Sequence, residues 1–536
     1  MRKMPVLVGF LSFISLLIWG FTHQAALNLQ SPKDKRTGAS LAKLFGVDRP
    51  FWAPNRIGNY ITNNGQLVSH IPKGSAGMEW PVGSHNTINF ASGIWLAGKK
   101  NDEIVTAAGA YVTEFQPGSV TGWRPGLAGV PANSNDARFK IYLINQKDLA
   151  SPSSDYINWP VNDGAPVDAN GKPLLLGTST AWAVFNDFNQ ALHDRLFSTK
   201  LMGLEVQMTA WAFDKRIFLE DMMFFKFKFI NKSGKNVTEA YVAFFADIDI
   251  GNGIQRTGCD TTLSLAFQYK TQPDPFYGPN PPAIGYKLLR GPIVSSPGDT
   301  AKVSGRKVPN FKNLPMTSFH KRINAGDPRF QFPESGTELF RYLRGLNKFG
   351  NPIIDPTTGQ ATKFWHSGDP LTNTGWVDQM HSNTDFWMIS GPFALADGDS
   401  QEVALGIIIA QGQTGLESAA LLKQNSQIAQ QAYDDNFITV VEEKTINVPA
   451  DYALQQNFPN PFNPTTTFDF TIPRDEFVSL KIYNMLGEEV ANVMEKKFSA
   501  GHYQVKWESL GLTTGLYFYR LQAGDFVQTK KFTLLR

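Results

Sequence analysis

Met222-Met223-Phe224-Phe225-Lys226-Phe227-Lys228-Phe229-Ile230 sets phenylalanine against lysine in strict alternation over its second half. Successive strand side chains point to opposite faces, so Phe225, Phe227 and Phe229 share one face while Lys226 and Lys228 share the other. The stretch reads as a half-buried strand with one wet face. Asn231-Lys232-Ser233-Gly234-Lys235 follows as a turn, and the apolar run Ala240–Ile250 reads as the returning strand of a hairpin.

Outward from there the same pattern recurs. Upstream, Leu204–Phe213 is strongly apolar, and Ile94-Trp95-Leu96-Ala97 is followed by Gly98-Lys99-Lys100-Asn101-Asp102 and a second apolar run, Ile104–Val112, which together predict a hairpin. Downstream, Phe393 to Ile409 reads as two strands around Asp397-Gly398-Asp399. Residues 270–380 read as long irregular loops rich in Pro and Gly. One helix is predicted, Leu416–Asp434, with Leu421, Ile428 and Ala432 on its apolar face. Charged residues are only 18% of the 536, against 46 Gly and 33 Pro, which favours a turn-rich β protein. The expected fold is mainly β: one large or two abutting β-sandwich-like modules with one helix, then an Ig-like C-terminal β-sandwich. The expected division is a signal peptide (1–24), an N-terminal arm (25–75) with a short amphipathic candidate at Leu41–Phe45, and a β-rich body (76–437). If the body is two modules they split near 260. A linker (438–451) and a tail (452–536) follow.

Met1-Arg2-Lys3 precedes an uncharged apolar run, Pro5 to Phe21, the pattern of a secretory signal. A membrane anchor is the competing reading, but a run of about 17 residues is at the lower limit for spanning, and Gly9, Ser12 and Ser15 dilute it. Removing this segment takes away Arg2 and Lys3 and no acid, so the formal charge falls from +3 to +1 (48 minus 47). A balance this close to neutral gives no electrostatic reason to expect nucleic acid or an anionic membrane surface. No membrane-spanning segment is expected after signal removal. The single cysteine, Cys259, excludes an intrachain disulfide and reads as a small buried hydrophobe.

The tail opens with Asn457-Phe458-Pro459-Asn460-Pro461-Phe462-Asn463-Pro464. It continues through Val478-Ser479-Leu480-Lys481-Ile482-Tyr483-Asn484, Leu486-Gly487, Ala500-Gly501-His502 and Trp507. Gly515-Leu516-Tyr517-Phe518-Tyr519-Arg520-Leu521 follows, and Lys530-Lys531-Phe532-Thr533-Leu534-Leu535-Arg536 closes the chain. Prolines 459, 461 and 464 force an extended lead-in, and the alternation after it predicts about seven short strands around a buried Trp507. A plain Ig-like stalk would show the same strands. Over about 85 residues, however, order and spacing resemble the type A C-terminal sorting domain of type IX secretion. That resemblance implies export to the medium or outer cell surface and recognition by the type IX machinery. The body in turn resembles an uncharacterised family of exported proteins carrying that tail, through pieces such as Ser92-Gly93-Ile94-Trp95, Gly258-Cys259-Asp260-Thr261 and Ser390-Gly391-Pro392-Phe393. In that family an acidic pair often precedes the Gly-Cys-Asp; here Gln255-Arg256 stands there.

Candidate chemistry in the body is sparse. Asp247, Asp249 and Asp260 are candidate calcium ligands, since carboxylates among glycines present hard oxygens to such a cation. Turn capping through backbone N–H groups is the competing reading. No zinc-protease helix motif, nucleophile elbow or P-loop is present, and no catalytic residues are assigned. His193 and His320 read as ordinary hydrogen-bonded residues. Trp95, Trp182 and Trp211 lie in apolar runs and read as core, whereas Trp365 and Trp376, in the Gly/Pro/Asp-rich stretch, are candidate ligand-stacking residues. The expected function is a non-enzymatic binding or structural role in the envelope or matrix, with glycan or another envelope component as partner. The alternatives are a secreted polysaccharide-active hydrolase, which needs two flanking carboxylates, and a subunit whose Phe-rich strand edges pair between molecules.

Overall fold

The computed structural model describes residues 47–69, 76–214, 219–323, 327–379, 384–437, 451–498, 501–509 and 512–535. The signal-like run, the Leu41–Phe45 segment and all of the linker but Asp451 lie outside the described residues. Contacts divide the chain into two units, Met1–Val440 and Val441–Arg536.

Two large sheets build the first unit. The larger runs Tyr142–Asn145, Ser179–Asn186, Leu204–Ala212, Met222–Asn231, Ser400–Ala410, Ala283–Arg290, Leu265–Tyr269, Arg256–Asp260. The smaller runs Lys200–Leu201, Glu103–Ala108, Ala91–Lys100, Val237–Asp247, Asp385–Leu395, Ser318–Lys321. Strands from before and after residue 260 share the larger sheet. Residues 51–68, within the expected arm, supply three short strands, and Gln66–Val68 pairs with Ala91–Lys100. Phe225, Phe227 and Phe229 point as their alternation requires, into a core shared with Leu96, Val242, Phe244 and Met388 of the other sheet. The Ala91–Lys100 and Glu103–Ala108 strands pair as expected, joined by Asn101 and Asp102 at φ 51° and 64°. That pair of positive values is the type I′ turn whose twist suits a two-residue hairpin.

The predicted hairpin after Ile230 does not form. Met222–Asn231 pairs with Leu204–Ala212 and Ser400–Ala410, whereas Val237–Asp247 pairs with Ala91–Lys100 and Asp385–Leu395 in the other sheet. The five-residue turn is a corner between layers about 10 Å apart. Val237–Asp247 is buried on both faces from Ala240 on, as a central strand must be, and alternation in the preceding strand cannot reveal that. The two strands around Asp397-Gly398-Asp399 do exist, and they too belong to different sheets.

Both outer faces carry a helix. Gly415–Asp434 covers Trp211, Phe224, Phe267 and Ile408 of the larger sheet with Ala419, Leu422, Ala429 and Ala432. Leu421, expected on the buried face, is exposed; its neighbour Leu422, about 100° away, takes the core position. A second helix, Gly336–Leu343, packs Leu339, Phe340 and Leu343 over Trp95, Phe245 and Trp387 of the smaller sheet. The one-helix expectation is corrected by this element and by the shorter Gln190–Leu196 and Ser154–Ile157, all too short for a 3.6-residue period to stand out. Residues 270–380 are also more ordered than expected. They hold the strands Ala283–Arg290 and Ser318–Lys321 and an exposed two-stranded ribbon, Ile293–Val303 with Arg306–Asn313. Pro297 and Pro309 inside that ribbon hid it.

The second unit is a β-sandwich-like domain of a three-stranded and a four-stranded sheet, seven strands as the alternation predicts. Val478, Leu480, Ile482, Tyr517, Tyr519 and Leu521 are buried. The proline-rich lead-in is tied down by its asparagines. Tyr519 Oη donates to Gln455 O (2.8 Å) and accepts the Asn457 N–H (2.9 Å), while Asn460 Oδ1 accepts the Thr533 N–H (2.9 Å). Trp507 is half-buried rather than buried, at the end of its strand, its ring 5.9 Å from Phe532.

Candidate functional site

The two sheets of the first unit end, on one side, in the strands Arg256–Asp260 and Ser318–Lys321. Unpaired edges are liabilities that folds cover, and here residues 363–366 lie across both. Phe319 N–H donates to Lys363 O (2.9 Å), Trp365 N–H to Phe319 O (3.3 Å) and Cys259 N–H to His366 O (3.2 Å). This strap places Trp365 and His366 beside a cavity of about 480 Å3, also lined by Lys321, Asn373, Trp376 and Asp378.

The two sequence-predicted tryptophans therefore do come together, their ring centroids 5.2 Å apart and tilted by 30°. Their environments differ. Trp365 is 5% exposed and meets Phe330 edge-on at 4.6 Å, so it is an inner wall continuous with the core. Trp376 is half-buried, with the His366 ring 4.9 Å away.

The polar side of the cavity rests on Asp378. Its carboxylate is ion-paired with the buried Lys321 ammonium, accepts the Thr257 N–H at 3.0 Å and lies 3.8 Å from His366 Nε2. Burial works against the charge, but His366 and Lys321 outweigh it and hold Asp378 below the usual carboxylate range. Burial pushes His366 down to about 4, so its imidazole is neutral at physiological pH. Trp365 Nε1 and His366 Nδ1 are buried with no hydrogen-bond partner among the described residues. The same holds for Nε1 of the core residues Trp95, Trp182, Trp211 and Trp387, so these two atoms mark burial and not a ligand-facing surface. Sequence reasoning found the tryptophans but missed Lys321, His366 and Asp378: 57 residues separate the ion pair, and only the strap brings its members together.

The three candidate calcium ligands are not gathered into one site, and no group of three or more His, Cys, Asp or Glu among the described residues is placed to hold a metal ion. Asp247 is buried at the end of its strand, hydrogen-bonded by Tyr111 Oη. Burial and the adjacent Asp385 push its pKa well up. Asp249 is half-buried near it. Asp260 caps the turn that follows, accepting the Thr262 and Leu263 N–H groups at 3.1 Å each, with Lys423 Nζ at 3.2 Å.

His193 and His320, outside the cavity, serve the fold. His193 is fully buried, with Nε2 3.0 Å from Asp187 O and Nδ1 3.5 Å from Glu114. Burial raises the Glu114 carboxyl to about 7. Burial also opposes a charge on His193, but Asp187 and Glu114 outweigh it and hold the imidazole above its ordinary value. His320 stacks on Tyr342 at 3.8 Å, and burial pushes it down to about 3. Cys259 is buried, its thiol pushed up by desolvation, and is not a nucleophile.

Residues 456–534 match the family described as "Secretion system C-terminal sorting domain". The tail is thus a type IX sorting domain, and the chain a type IX secretion substrate that reaches the outer cell surface or the medium. No curated protein matches the chain. Among solved structures, a polysaccharide lyase aligns at 8% identity and a TM-score of 0.21, over 92% of this chain and 46% of that one. Dimeric latent PorU from Porphyromonas gingivalis aligns at 9% and 0.14, over 69% and 33%. PorZ, a surface component of the type-IX secretion system of that bacterium, aligns at 10% and 0.13, over 92% and 58%. The chain spans less than two thirds of the length of each, and scores this low show no shared fold.

Proposed function

We propose that this exported protein is a non-enzymatic binder of glycan in the envelope or matrix, and that the recess walled by Trp365 and Trp376 is its binding site. The observation that carries the reading is the pairing of the half-buried Trp376 face with the polar Lys321–Asp378 ion pair in the lining of one cavity. A sugar ring offers what both need: C–H groups for the apolar face and hydroxyls that donate and accept. A volume of about 480 Å3 suits one or two such rings.

Binding rather than cleavage is supported by the state of Asp378, the one carboxylate in the lining among the described residues. Asp378 is held as an anion by Lys321, and hydrolysis of a glycosidic bond needs a second carboxyl, kept protonated, about 5–10 Å away. Glycan-array screening of the secreted protein, repeated with Trp376→Ala, tests the proposal. It requires at least one neutral glycan bound by the wild type and lost, by about tenfold or more in affinity, in the variant. An empty array, or equal binding by both proteins, refutes it.

A further inference from the structure

A second recess lies on the outer face of the larger sheet. It is a groove of about 750 Å3, bordered by the Gly415–Asp434 helix and the Ile293–Asn313 ribbon. Its floor is formed by Lys287, from the Ala283–Arg290 strand, only 5% exposed. Lys287 Nζ donates to Leu263 O and Leu288 O, which uses two of its three N–H groups. Among the described residues no carboxylate forms an ion pair with it. The nearest acids are already engaged: Asp434 by Arg290 at 2.9 Å and Lys302 at 3.6 Å, Asp260 by Lys423 at 3.2 Å.

A buried cation without a counter-ion is expensive, and replacing it with an apolar side chain would ordinarily stabilise a fold. Lys287, Arg290 and Lys302 against Asp434 leave the groove with a net positive charge of two. On the helical wall, Gln427 and Gln431, one turn apart, present exposed amides. Thr262 and Thr300 add hydroxyls to the rim, that of Thr262 donating to Asp260 Oδ1 at 2.7 Å, while the Asn313 amide is taken up by Lys302 and Gly291. The apolar part of the lining, Leu263, Leu288, Leu289, Leu314 and Pro315, is aliphatic, with no aromatic anchor of the kind that grips a peptide among the described residues, whereas side-chain amides and hydroxyls match the hydroxyls of a sugar.

We propose that this groove binds an acidic saccharide, with the Lys287 ammonium pairing the sugar carboxylate and Gln427 and Gln431 bonding its hydroxyls. Burial pushes the ammonium down to about 8, so it is still mostly charged at neutral pH and gains from any anion brought to it. The site is separate from the tryptophan recess. Lys423 nevertheless bridges Asp260, next to the groove, and Asp369, in the loop that carries Trp376. One glycan chain bearing both neutral and acidic units would find the two subsites on connected loops.

Isothermal titration of the full secreted chain with tetragalacturonate, its fully methyl-esterified form and tetraglutamate tests this. The acid is expected to bind, with the ester and the peptide each weaker by about tenfold or more. Lys287→Met should weaken the acid by a similar factor while keeping or raising the melting temperature. If that variant does not fold, the double variant Gln427→Ala and Gln431→Ala, at exposed helical positions, should weaken it severalfold. Trp376→Ala should leave this affinity unchanged, so failure here is distinguishable from failure of the tryptophan site. The assignment is overturned by absence of binding, by equal binding of acid and ester, or by tetraglutamate binding as well as the sugar acid. Unchanged affinity in the folded Lys287 or glutamine variants, or loss in Trp376→Ala, overturns it as well.

Discussion

Asn231 and Gly398 join the two corners at which the chain passes between sheets. Gly398 N–H donates to Asn231 O at 2.9 Å, and the Asn231 N–H is taken by Asp399 O at 2.9 Å. The Asn231 amide then donates to Lys235 O, Leu395 O and Ala396 O at 2.8–3.1 Å, while its Oδ1 accepts the Ser233 N–H at 3.0 Å. A single side chain satisfies the carbonyls of both turns. Asn231→Ala removes these donors, with Leu395 O the buried acceptor among them while Lys235 O keeps the Ser233 hydroxyl at 2.9 Å, which should cost about 1–3 kcal/mol of stability. Urea denaturation measures it; a loss below about 0.5 kcal/mol would show that the corners hold without this residue.

The two tryptophans of the recess should separate cleanly by mutation. Trp365 belongs to the core, so Trp365→Ala should destabilise the first unit by about 3–5 kcal/mol. Trp376 is half-buried, and Trp376→Ala should cost much less while abolishing glycan binding. Denaturation beside a binding titration distinguishes the two. Equal destabilisation by both would mean that Trp376 is as structural as Trp365.

Protonation of the buried Glu114–His193 pair should make stability fall as pH rises. Glu114 has its carboxyl raised to about 7 against 4.5 for the free group. Its protonated form is favoured in the fold, so its contribution is full below about pH 4.5 and is lost as pH rises through 7. His193, also raised, acts in the same direction. At 1.36 kcal/mol per pKa unit the Glu114 share is about 3 kcal/mol at most. Glu114→Gln cannot ionise, so its melting temperature should approach that of the wild type near pH 5 and exceed it near pH 8. A difference independent of pH would contradict the buried, protonated carboxyl.

Calcium should not support this fold. With Asp247, Asp249 and Asp260 not gathered into one site and Asp260 committed to its turn, chelation should leave the melting temperature where it is. A fall of several degrees on adding chelator, reversed by calcium, would show that Asp247, Asp249 or Asp260 holds the ion.

Legibility in the sequence followed the range of the interaction. Phe225, Phe227 and Phe229 announced their face because a strand's period is two, and Gly98–Asp102 announced a turn, which the structure narrows to Asn101-Asp102, with Gly98–Lys100 in the strand. The tail was readable strand by strand, its alternation giving about seven as the structure has, although Trp507, expected at the centre, is half-buried. What could not be read depends on partners far away. Nothing in Asn231 to Lys235 says whether the next strand returns to the same sheet or crosses to the other; that is decided by Ala91–Lys100 and Asp385–Leu395, which flank it. Trp365 sits in a Gly/Pro-rich stretch that reads as exposed, yet it is core because the strap it belongs to seals two sheet edges. The Lys321–Asp378 pair, which sets the polarity of the recess, leaves no local trace at all.

Hydrogen-exchange mapping of the secreted protein, with and without a neutral glycan recovered from the array, addresses the binding site itself. The account predicts that bound glycan slows amide exchange in residues 363–379 and around Lys321, and nowhere else in the first unit. Protection centred on the outer groove or on the sorting domain, or no protection while the glycan is bound, would contradict it.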